Sequence, residues 1–121
     1  MTLWLWLAVA AIGGCGAIAR FVIDALIADR AGRDFPLGTL AINLTGTLLL
    51  GVLVGVGAAG NLSLLAGTAT LGSYTTFSTW MLESYRLAED AELGPAILNA
   101  VLSLLLGFGA ALLGRTIGLH L

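Results

Sequence analysis

The amino-acid sequence predicts an all-α integral membrane protein, and three observations support this fold class. Of its 121 residues, 59% are hydrophobic and only 10% are charged, whereas soluble domains carry about 25% charged residues. The run from residue 35 to residue 82 contains no charged side chain. The alternation of apolar and polar residues that transmembrane β-strands require is absent. Because a spanning helix needs about 20 apolar residues, the chain has room for four helices in a single domain, residues 1–121.

The first predicted span covers residues 3–28. Trp4 and Trp6 stand at its start, and aromatic side chains of this kind favour the membrane interface. Arg20 and Asp24 stand four residues apart near its end, so they face the same side of a helix. They form either an ion pair that reaches the interface or an electropositive vestibule in which Arg20 attracts anions.

The second predicted span covers residues 35–58. Pro36 is expected in the first turn, where a proline costs no hydrogen bond, with Asp34 ahead of it as a candidate cap. Asn43 lies within the span, and its amide must either hydrogen-bond inside the protein or line a wet path. Asn43 is therefore either a clamp between helices or part of a pore. Two threonines, four residues before and after it, share its face.

The second span also carries a ridge of small residues that predicts close helix packing. Thr47, Gly51, Gly55 and Ala59 repeat at four-residue spacing, which lets the backbones of two membrane helices approach each other. Four short helices shield few polar groups inside one chain, so we expect an oligomer. The ridge is a candidate surface for the second copy.

The third predicted span, residues 62–87, contains a cluster of hydroxyls next to Gly72. Glycine is unfavourable inside a helix. The hydroxyls of serine and threonine can hydrogen-bond nearby backbone groups and so compete with the hydrogen bonds of the helix. We therefore expect a break in this span. Broken backbone at membrane depth must be buried in protein or line water, and its free carbonyls and amides can bind ions. The alternative is an intact helix whose hydroxyls bond the carbonyls four residues earlier. The hydroxyls belong to Ser73, Thr75, Thr76, Ser78 and Thr79.

The polar groups predicted within the spans favour an anion over a cation as the ligand of such a site. We expect no glutamate inside the membrane and only Asp24 as an acidic group there, whereas cation paths use acidic rings or carbonyl ladders. Hydroxyls, the Asn43 amide and Arg20 are donors. Phe77 and Trp80 stand three residues apart on one helical face, where they either pack together or present positive ring edges to a small anion.

The fourth predicted span covers residues 95–117, with Pro95 in its first turn. Counting positive charges gives a weak orientation signal. Arg30, Arg33 and Arg86 lie at one side of the predicted bundle, and Arg115 with the N-terminal amine lies at the other. The chain therefore either inserts in both orientations or has an ordinary topology that its charges signal poorly.

Several other classes of function find no support in the sequence. The single His120 lies at the C-terminus, Cys15 has no histidine near it in sequence, and no metal-ligand spacing exists, so an enzyme is not expected. The net charge of −2 without any lysine gives no basic patch for nucleic acid. No phosphate-binding loop marks an energy source.

Three blocks of the sequence resemble the signature blocks of the CrcB/Fluc fluoride channels. They are GGCGAIAR at residues 13–20, PLGTLAINLTG at residues 36–46 and LGSYTTFSTW at residues 71–80. The resemblance implies an antiparallel, dual-topology homodimer in the cell (inner or plasma) membrane. Its two pores would passively export fluoride from the cytoplasm and so confer fluoride resistance.

The resemblance also implies roles for individual residues. The pore asparagine would be Asn43, the two pore phenylalanines would fall on Phe77 and Trp80, and the first-span arginine of the vestibule would be Arg20. A structural Na⁺ would be held by the backbone carbonyls of Gly72 and Thr75 at the break in the third span. Further pore hydroxyls would be those of Thr76, Ser78, Thr79 and Ser103.

The chain departs from the pattern of this family at several positions. Trp80 replaces a phenylalanine and adds an N–H donor, Asn99 replaces an expected tyrosine, and Phe21 replaces the tyrosine after the arginine. Ser73 and Tyr74 stand where glycine and phenylalanine are common. Because some members of the family act as half of a heterodimer, that assembly stays open beside the homodimer.

Two other functions remain as alternatives. A small multidrug-resistance-like exporter would need a glutamate in the first span, and none precedes Arg20. A non-transporting membrane assembly subunit would use the same polar residues only to hold helices together.

Overall fold

The fold is entirely helical. A computed structural model describes all residues from Met1 to Leu121. Three helices are long and apolar enough to cross a membrane, so the predicted class of an all-helical, multi-pass membrane protein is confirmed. The elements are α1 (Leu3–Ala31), α2 (Leu37–Gly55), α3 (Gly60–Leu62), a π-helix (Ser63–Leu71), α4 (Gly72–Tyr74), α5 (Ser78–Glu89) and α6 (Leu93–Leu119).

Helix α1 runs from Leu3 to Ala31 and ends three residues later than predicted. At its start the Thr2 hydroxyl accepts a hydrogen bond from the amide of Leu5 at 3.3 Å, as an N-cap does. At its end Gly32 has a φ of 79° and donates its amide to the carbonyl of Ala28. This positive φ is the glycine-favoured helix ending that sequence periodicity alone does not locate.

Helix α2 begins at Leu37, and Asp34 does not cap it, so that prediction was wrong. The capping position is occupied by Pro36, which has no side-chain acceptor, and the amide of Leu37 instead bonds the carbonyl of Phe35 at 2.8 Å. The helix ends at Gly55, earlier than predicted, because Gly57 turns the chain with a φ of 71°. Ala59 therefore lies outside the helix.

The small-residue ridge of α2 packs inside the chain, which overturns its assignment to a second copy. Helices α2 and α6 share the most extensive contact in the molecule. A Cβ added to Gly51 would lie 2.5 Å from the carbonyl oxygen of Ala111, and one added to Gly55, Gly114 or Gly118 would come closer still to the facing backbone. Small residues at four-residue spacing permit close approach but do not specify which helix approaches.

The remaining elements pack around α2 and α6. Helix α1 lies against α2, the π-helix and α4, while α5 lies against α6. Only 14 of 121 residues are buried, so most large apolar side chains face outward. An apolar exterior of this extent suits lipid or a partner chain rather than water.

The segment between α2 and α6 contains the irregular backbone. Residues Ser63–Leu71 form a nine-residue π-helix, a rare form that is frequent at functional sites. The helical path stops at Tyr74, Thr75 is extended with a φ of −79° and a ψ of 160°, and helix resumes at Ser78. The candidate functional site lies at this interruption, residues 75–77.

Candidate functional site

Asn43 replaces the missing helical hydrogen bonds at the interruption. The amide N–H of Thr76 donates to Asn43 Oδ1 at 2.8 Å, and Asn43 Nδ2 donates to the carbonyl of Thr76 at 2.8 Å. One side chain on α2 thus satisfies both backbone groups of one residue 33 positions away. The clamp that the sequence left as one alternative is therefore present.

At the interruption, the backbone carbonyls of Gly72 and Thr75, which the resemblance assigns to Na⁺, do not accept the hydrogen bonds of a regular helix. In a continuous helix the carbonyl of Gly72 would accept from the amide of Thr76, but that amide bonds Asn43. The carbonyl of Thr75 would accept from the amide of Thr79, which instead bonds Thr76 Oγ1 at 3.2 Å. Both carbonyls thus lose the donor that a helix supplies.

Arg20 reaches the same interruption from α1. Its Nη1 donates to the carbonyl of Thr75 at 3.4 Å, across 55 positions of sequence. Arg20 forms no salt bridge with Asp24, so the ion pair that the sequence left as one of two alternatives is absent. Both side chains instead border one open cleft of about 230 Å³, whose lining is Arg20, Phe21, Asp24, Thr39, Ile42, Thr76 and Thr79.

The predicted hydroxyl cluster divides into two groups. Ser73 Oγ donates to the carbonyl of Ala69 at 2.6 Å, and Thr75 Oγ1 donates to that of Leu71 at 2.9 Å. These two make the bonds to earlier carbonyls that the sequence left as an alternative. Of the other three, Thr76 lies within the interruption, and Ser78 and Thr79 follow it at the start of α5. Thr76 Oγ1 is 3.2 Å from Thr79 Oγ1 and 3.4 Å from Ser78 Oγ.

Phe77 and Trp80 contact each other edge to face. Their ring centroids are 5.4 Å apart and their planes meet at 81°. Phe77 precedes α5 and is 70% exposed, whereas Trp80 is only 8% exposed. Trp80 Nε1 donates to the backbone carbonyl of Asn99 at 3.1 Å, so its N–H is occupied by α6.

A second cleft of about 230 Å³ brings the second, third and fourth predicted spans together. Ser103 on α6 contributes a buried hydroxyl oxygen that has no hydrogen-bond partner, the only such side-chain atom in the molecule. Unpaired buried polar groups are rare, and each needs an explanation. The lining is Asn43, Thr47, Thr75, Thr76, Phe77, Trp80, Ser103, Leu104 and Gly107.

Thr76 borders both clefts, which places it between Arg20 on one side and Phe77 with Ser103 on the other. The first cleft holds three of the residues predicted for the site: Arg20, Thr76 and Thr79. The second cleft holds six of them: Asn43, Thr75, Phe77, Trp80, Ser103 and again Thr76. Ser78 is exposed and borders neither of them, nor does Gly72. Gly72 instead borders a third open cleft, together with Thr75.

Glu83 is a residue near the site that the sequence did not predict. Glu83 lies within residues 62–87, the predicted third span, and is partly buried. The hydroxyl of Thr39 donates a short hydrogen bond to Glu83 Oε1, which joins α2 to α5 next to the first cleft. The sequence could have indicated Glu83 through its spacing, because it follows Trp80 by three residues and so lies on the same face of α5.

Comparison with known proteins assigns the chain to a family. A family model described as "CrcB-like protein, Camphor Resistance (CrcB)" matches residues 7–115. The chain belongs to the CrcB family. Each of the three sequence blocks that resemble this family lies within the matched range.

Several curated relatives of this CrcB protein carry the name fluoride-specific ion channel. "Fluoride-specific ion channel FluC 2" of Mycolicibacterium paratuberculosis is 53% identical, covering 94% of this chain and 93% of the relative. The protein of the same name from Mycobacterium tuberculosis is 50% identical, covering 97% and 93%. "Fluoride-specific ion channel FluC 1" of Leifsonia xyli subsp. xyli is 43% identical, covering 98% and 89%.

The fold brings the three blocks of this CrcB protein to one place. The first block supplies Arg20 and the second supplies Asn43, and both bond the backbone of the third block at Thr75 and Thr76. The resemblance in sequence thus corresponds to one contiguous site at the interruption.

Proposed function

We propose that this protein is a fluoride-selective ion channel that passively exports cytoplasmic fluoride, and not an enzyme. The family match and the names of the relatives support this function. The structural observation that carries it is the unpaired Ser103 hydroxyl in the cleft of Asn43, Phe77 and Trp80. A buried hydroxyl without a partner is a donor available to a passing anion.

The chemistry of the two clefts suits a small, strongly hydrated anion. Removing such an ion from water is expensive unless other donors replace the water. Arg20 borders the first cleft and would raise the local concentration of anions. Thr76 and Thr79 follow, and Ser103 with the positive ring edges of Phe77 and Trp80 would complete a path through the second cleft.

The proposed path needs four spans, the third of them broken. The third would consist of the π-helix Ser63–Leu71, α4 and α5, with the break at residues 75–77. The hydrogen bonds of Asn43 to Thr76 support this assignment, because non-helical backbone at membrane depth requires partners inside the protein.

We propose that the channel is an antiparallel, dual-topology homodimer with two pores. The second cleft is open in a single chain, and Phe77 is 70% exposed there, so a second copy would enclose the path. The weak asymmetry of arginines between the two sides permits insertion in both orientations. Because the α2 ridge packs on α6, the partner would contact other surfaces.

A structural Na⁺ fits the carbonyls of Gly72 and Thr75 in part. Both have lost their helical donors, and Gly72 is exposed where a second copy could add ligands. Arg20 donates to the carbonyl of Thr75, which leaves that oxygen one further lone pair. A bound Na⁺ would supply a fixed positive charge that holds the break open. Arg20 and Asn43 hold the same backbone from the sides of α1 and α2.

Fluoride release from proteoliposomes, followed with a fluoride electrode, tests this function. We expect release by the unchanged protein and a loss of about tenfold or more in Asn43→Ala and Phe77→Ile, because each removes a group at the centre of the path. Matched controls are Asn61→Ala, an exposed amide in the short helix α3, and Phe108→Ile, which is 69% exposed on α6. Both controls should release fluoride at the original rate.

The same experiment separates the alternatives. Absence of both fluoride and chloride release by the unchanged protein would favour the assembly subunit or a missing partner of a heterodimer. Proton-coupled uptake of a cationic dye without fluoride release would favour the exporter, although Glu83 lies on α5 and not in the first span. Unchanged release in both Asn43→Ala and Phe77→Ile would refute the site assignment.

A further inference from the structure

We propose that Asn99 and Ser84 are positioning residues that fix the indole ring of Trp80 in the anion path. This inference rests on the proposed function, since it concerns the geometry of the second cleft. It starts from a closed set of hydrogen bonds between α5 and α6 that involves these three residues and no other.

The first bond of this network holds the ring itself. Trp80 Nε1 donates to the backbone carbonyl of Asn99 at 3.1 Å, and Trp80 is 8% exposed. An indole has one donor, so its N–H is fully used inside the protein. The part of the ring that contacts Phe77 therefore offers only carbon-bound hydrogens, as the ring of a phenylalanine would.

The second and third bonds hold the backbone of Trp80. Asn99 Nδ2 donates to Ser84 Oγ at 2.8 Å, and Ser84 Oγ donates to the carbonyl of Trp80 at 3.0 Å. Asn99 is only 2% exposed, so its amide would be costly to bury without this partner. Asn99 thus binds α5 twice, through its main chain and through its side chain.

The position of the network links it to the path. Ser103, with its unpaired hydroxyl, follows Asn99 by one helical turn on α6 and lies in the cleft with Trp80 and Phe77. A rotation of α5 relative to α6 would change the spacing between the ring edge and this hydroxyl. The two residues therefore set the width of the path without lining it.

The experiment uses Trp80 as its own fluorescent reporter. Trp4 and Trp6 are the other two tryptophans and are 79% and 59% exposed at the N-terminus, so Trp4→Phe and Trp6→Phe leave Trp80 as the single emitter. Ser84→Ala and Asn99→Leu are then made in this background. Trp80 emission anisotropy, fluoride release and chloride release are measured in the same proteoliposomes.

Asn99→Leu removes one side-chain hydrogen bond of the network and Ser84→Ala removes two. We expect both variants to lower the anisotropy and to reduce the ratio of fluoride to chloride release by at least about two- to tenfold, the range that the loss of one net hydrogen bond gives. The double variant should be no worse than the more damaging single one, because the three residues act as one unit. Thr116→Ala is the matched control: its hydroxyl bonds the carbonyl of Leu112 at 2.8 Å on α6, away from the cleft, and its loss should change neither readout.

The inference is overturned if Ser84→Ala, the smaller of the two changes in side-chain size, leaves both the anisotropy and the ratio of the two anions unchanged in folded protein. It is also overturned if total release falls while that ratio and the anisotropy stay constant, since this pattern indicates loss of folded protein only. Should the unchanged chain release no fluoride, the proposed function fails, and the anisotropy alone then decides whether the network holds Trp80.

Discussion

At the scale of single residues, Asn43 combines two roles that the sequence presented as alternatives. Its amide bonds both backbone groups of Thr76, and the same side chain borders the cleft of Phe77 and Ser103. A primary amide has two donors and one acceptor oxygen, so the bond to Thr76 leaves one N–H free. Clamping the break and offering a donor to an anion are therefore compatible.

Asn43→Asp separates these two roles. The carboxylate keeps an acceptor for the amide of Thr76 but loses the donor to its carbonyl and adds a negative charge in the path. We expect fluoride release to fall by about tenfold or more, while thermal stability in detergent falls by only about 1–3 kcal/mol, the cost of one unpaired buried group. Measuring both quantities checks the prediction. Release at the original rate would show that anions do not pass this side chain.

The tryptophan at position 80, where the family pattern has a phenylalanine, can be interpreted only from the tertiary structure. From the sequence alone, its indole N–H is an additional donor beside the proposed pore. In the fold, that N–H bonds the carbonyl of Asn99, another position at which the chain departs from the pattern. The side chain of Asn99 in turn bonds Ser84, so the two departures lie in one network.

At the scale of helices, the pair α2 and α6 depends on glycines whose missing side chains permit backbone contact. A Cβ on Gly114 would meet the carbonyl of Leu48, whereas one on Gly109 of the same helix would meet nothing within 4 Å. These two glycines therefore form a matched pair for measuring the importance of close approach.

We expect Gly114→Ala to destabilise the protein by about 1–3 kcal/mol, the usual cost of overpacking, because the facing group is backbone and cannot move aside. Gly109→Ala should be neutral or slightly stabilising, since alanine favours a helix by about 1 kcal/mol over glycine. Thermal unfolding in one detergent, monitored by circular dichroism, compares them. Equal effects of the two substitutions would contradict the close packing of α2 on α6.

The interrupted segment is stabilised by helices other than its own. Thr75 and Thr76 receive hydrogen bonds from Arg20 of α1 and Asn43 of α2, which replace bonds that a continuous helix would form. Thr39 of α2 adds a bond to Glu83 of α5. The first two helices therefore determine where the backbone of the third segment can leave the helical path.

At the scale of the whole molecule, one chain leaves much of its apolar surface and both clefts open. Phe77, Phe21 and Phe108 are 70%, 76% and 69% exposed, and the small-residue ridge is already used within the chain. A second copy in the opposite orientation would cover part of this surface and close the proposed path. In the proposed antiparallel dimer, function would therefore depend on the direction in which each copy inserts.

Substitutions that add positive charge to one side of the bundle can determine the direction in which the chain inserts into the membrane. In the proposed four-span topology, Asp29→Lys with Glu92→Lys adds positive charge to the side of Arg33 and Arg86, whereas Asn61→Lys with His120→Lys adds it to the opposite side. Because positive loops stay in the cytoplasm, each variant should insert in one direction only. We expect neither variant alone to give fluoride release in cells, and co-expression of both to restore it. Full release from either variant alone would exclude the antiparallel dimer.

Composition and the uncharged run of residues 35–82 were enough to predict a multi-pass helical membrane protein, because lipid requires long apolar helices whatever their arrangement. The hydroxyls after Gly72 were enough to predict irregular backbone there, and three sequence blocks were enough to indicate the family. The use of the Trp80 N–H by Asn99, the packing of Gly51 on α6 and the bond of Glu83 to Thr39 required the tertiary structure. Each depends on contacts between residues far apart in the chain, and the spacing of residues along one helix specifies a face but not the helix that covers it.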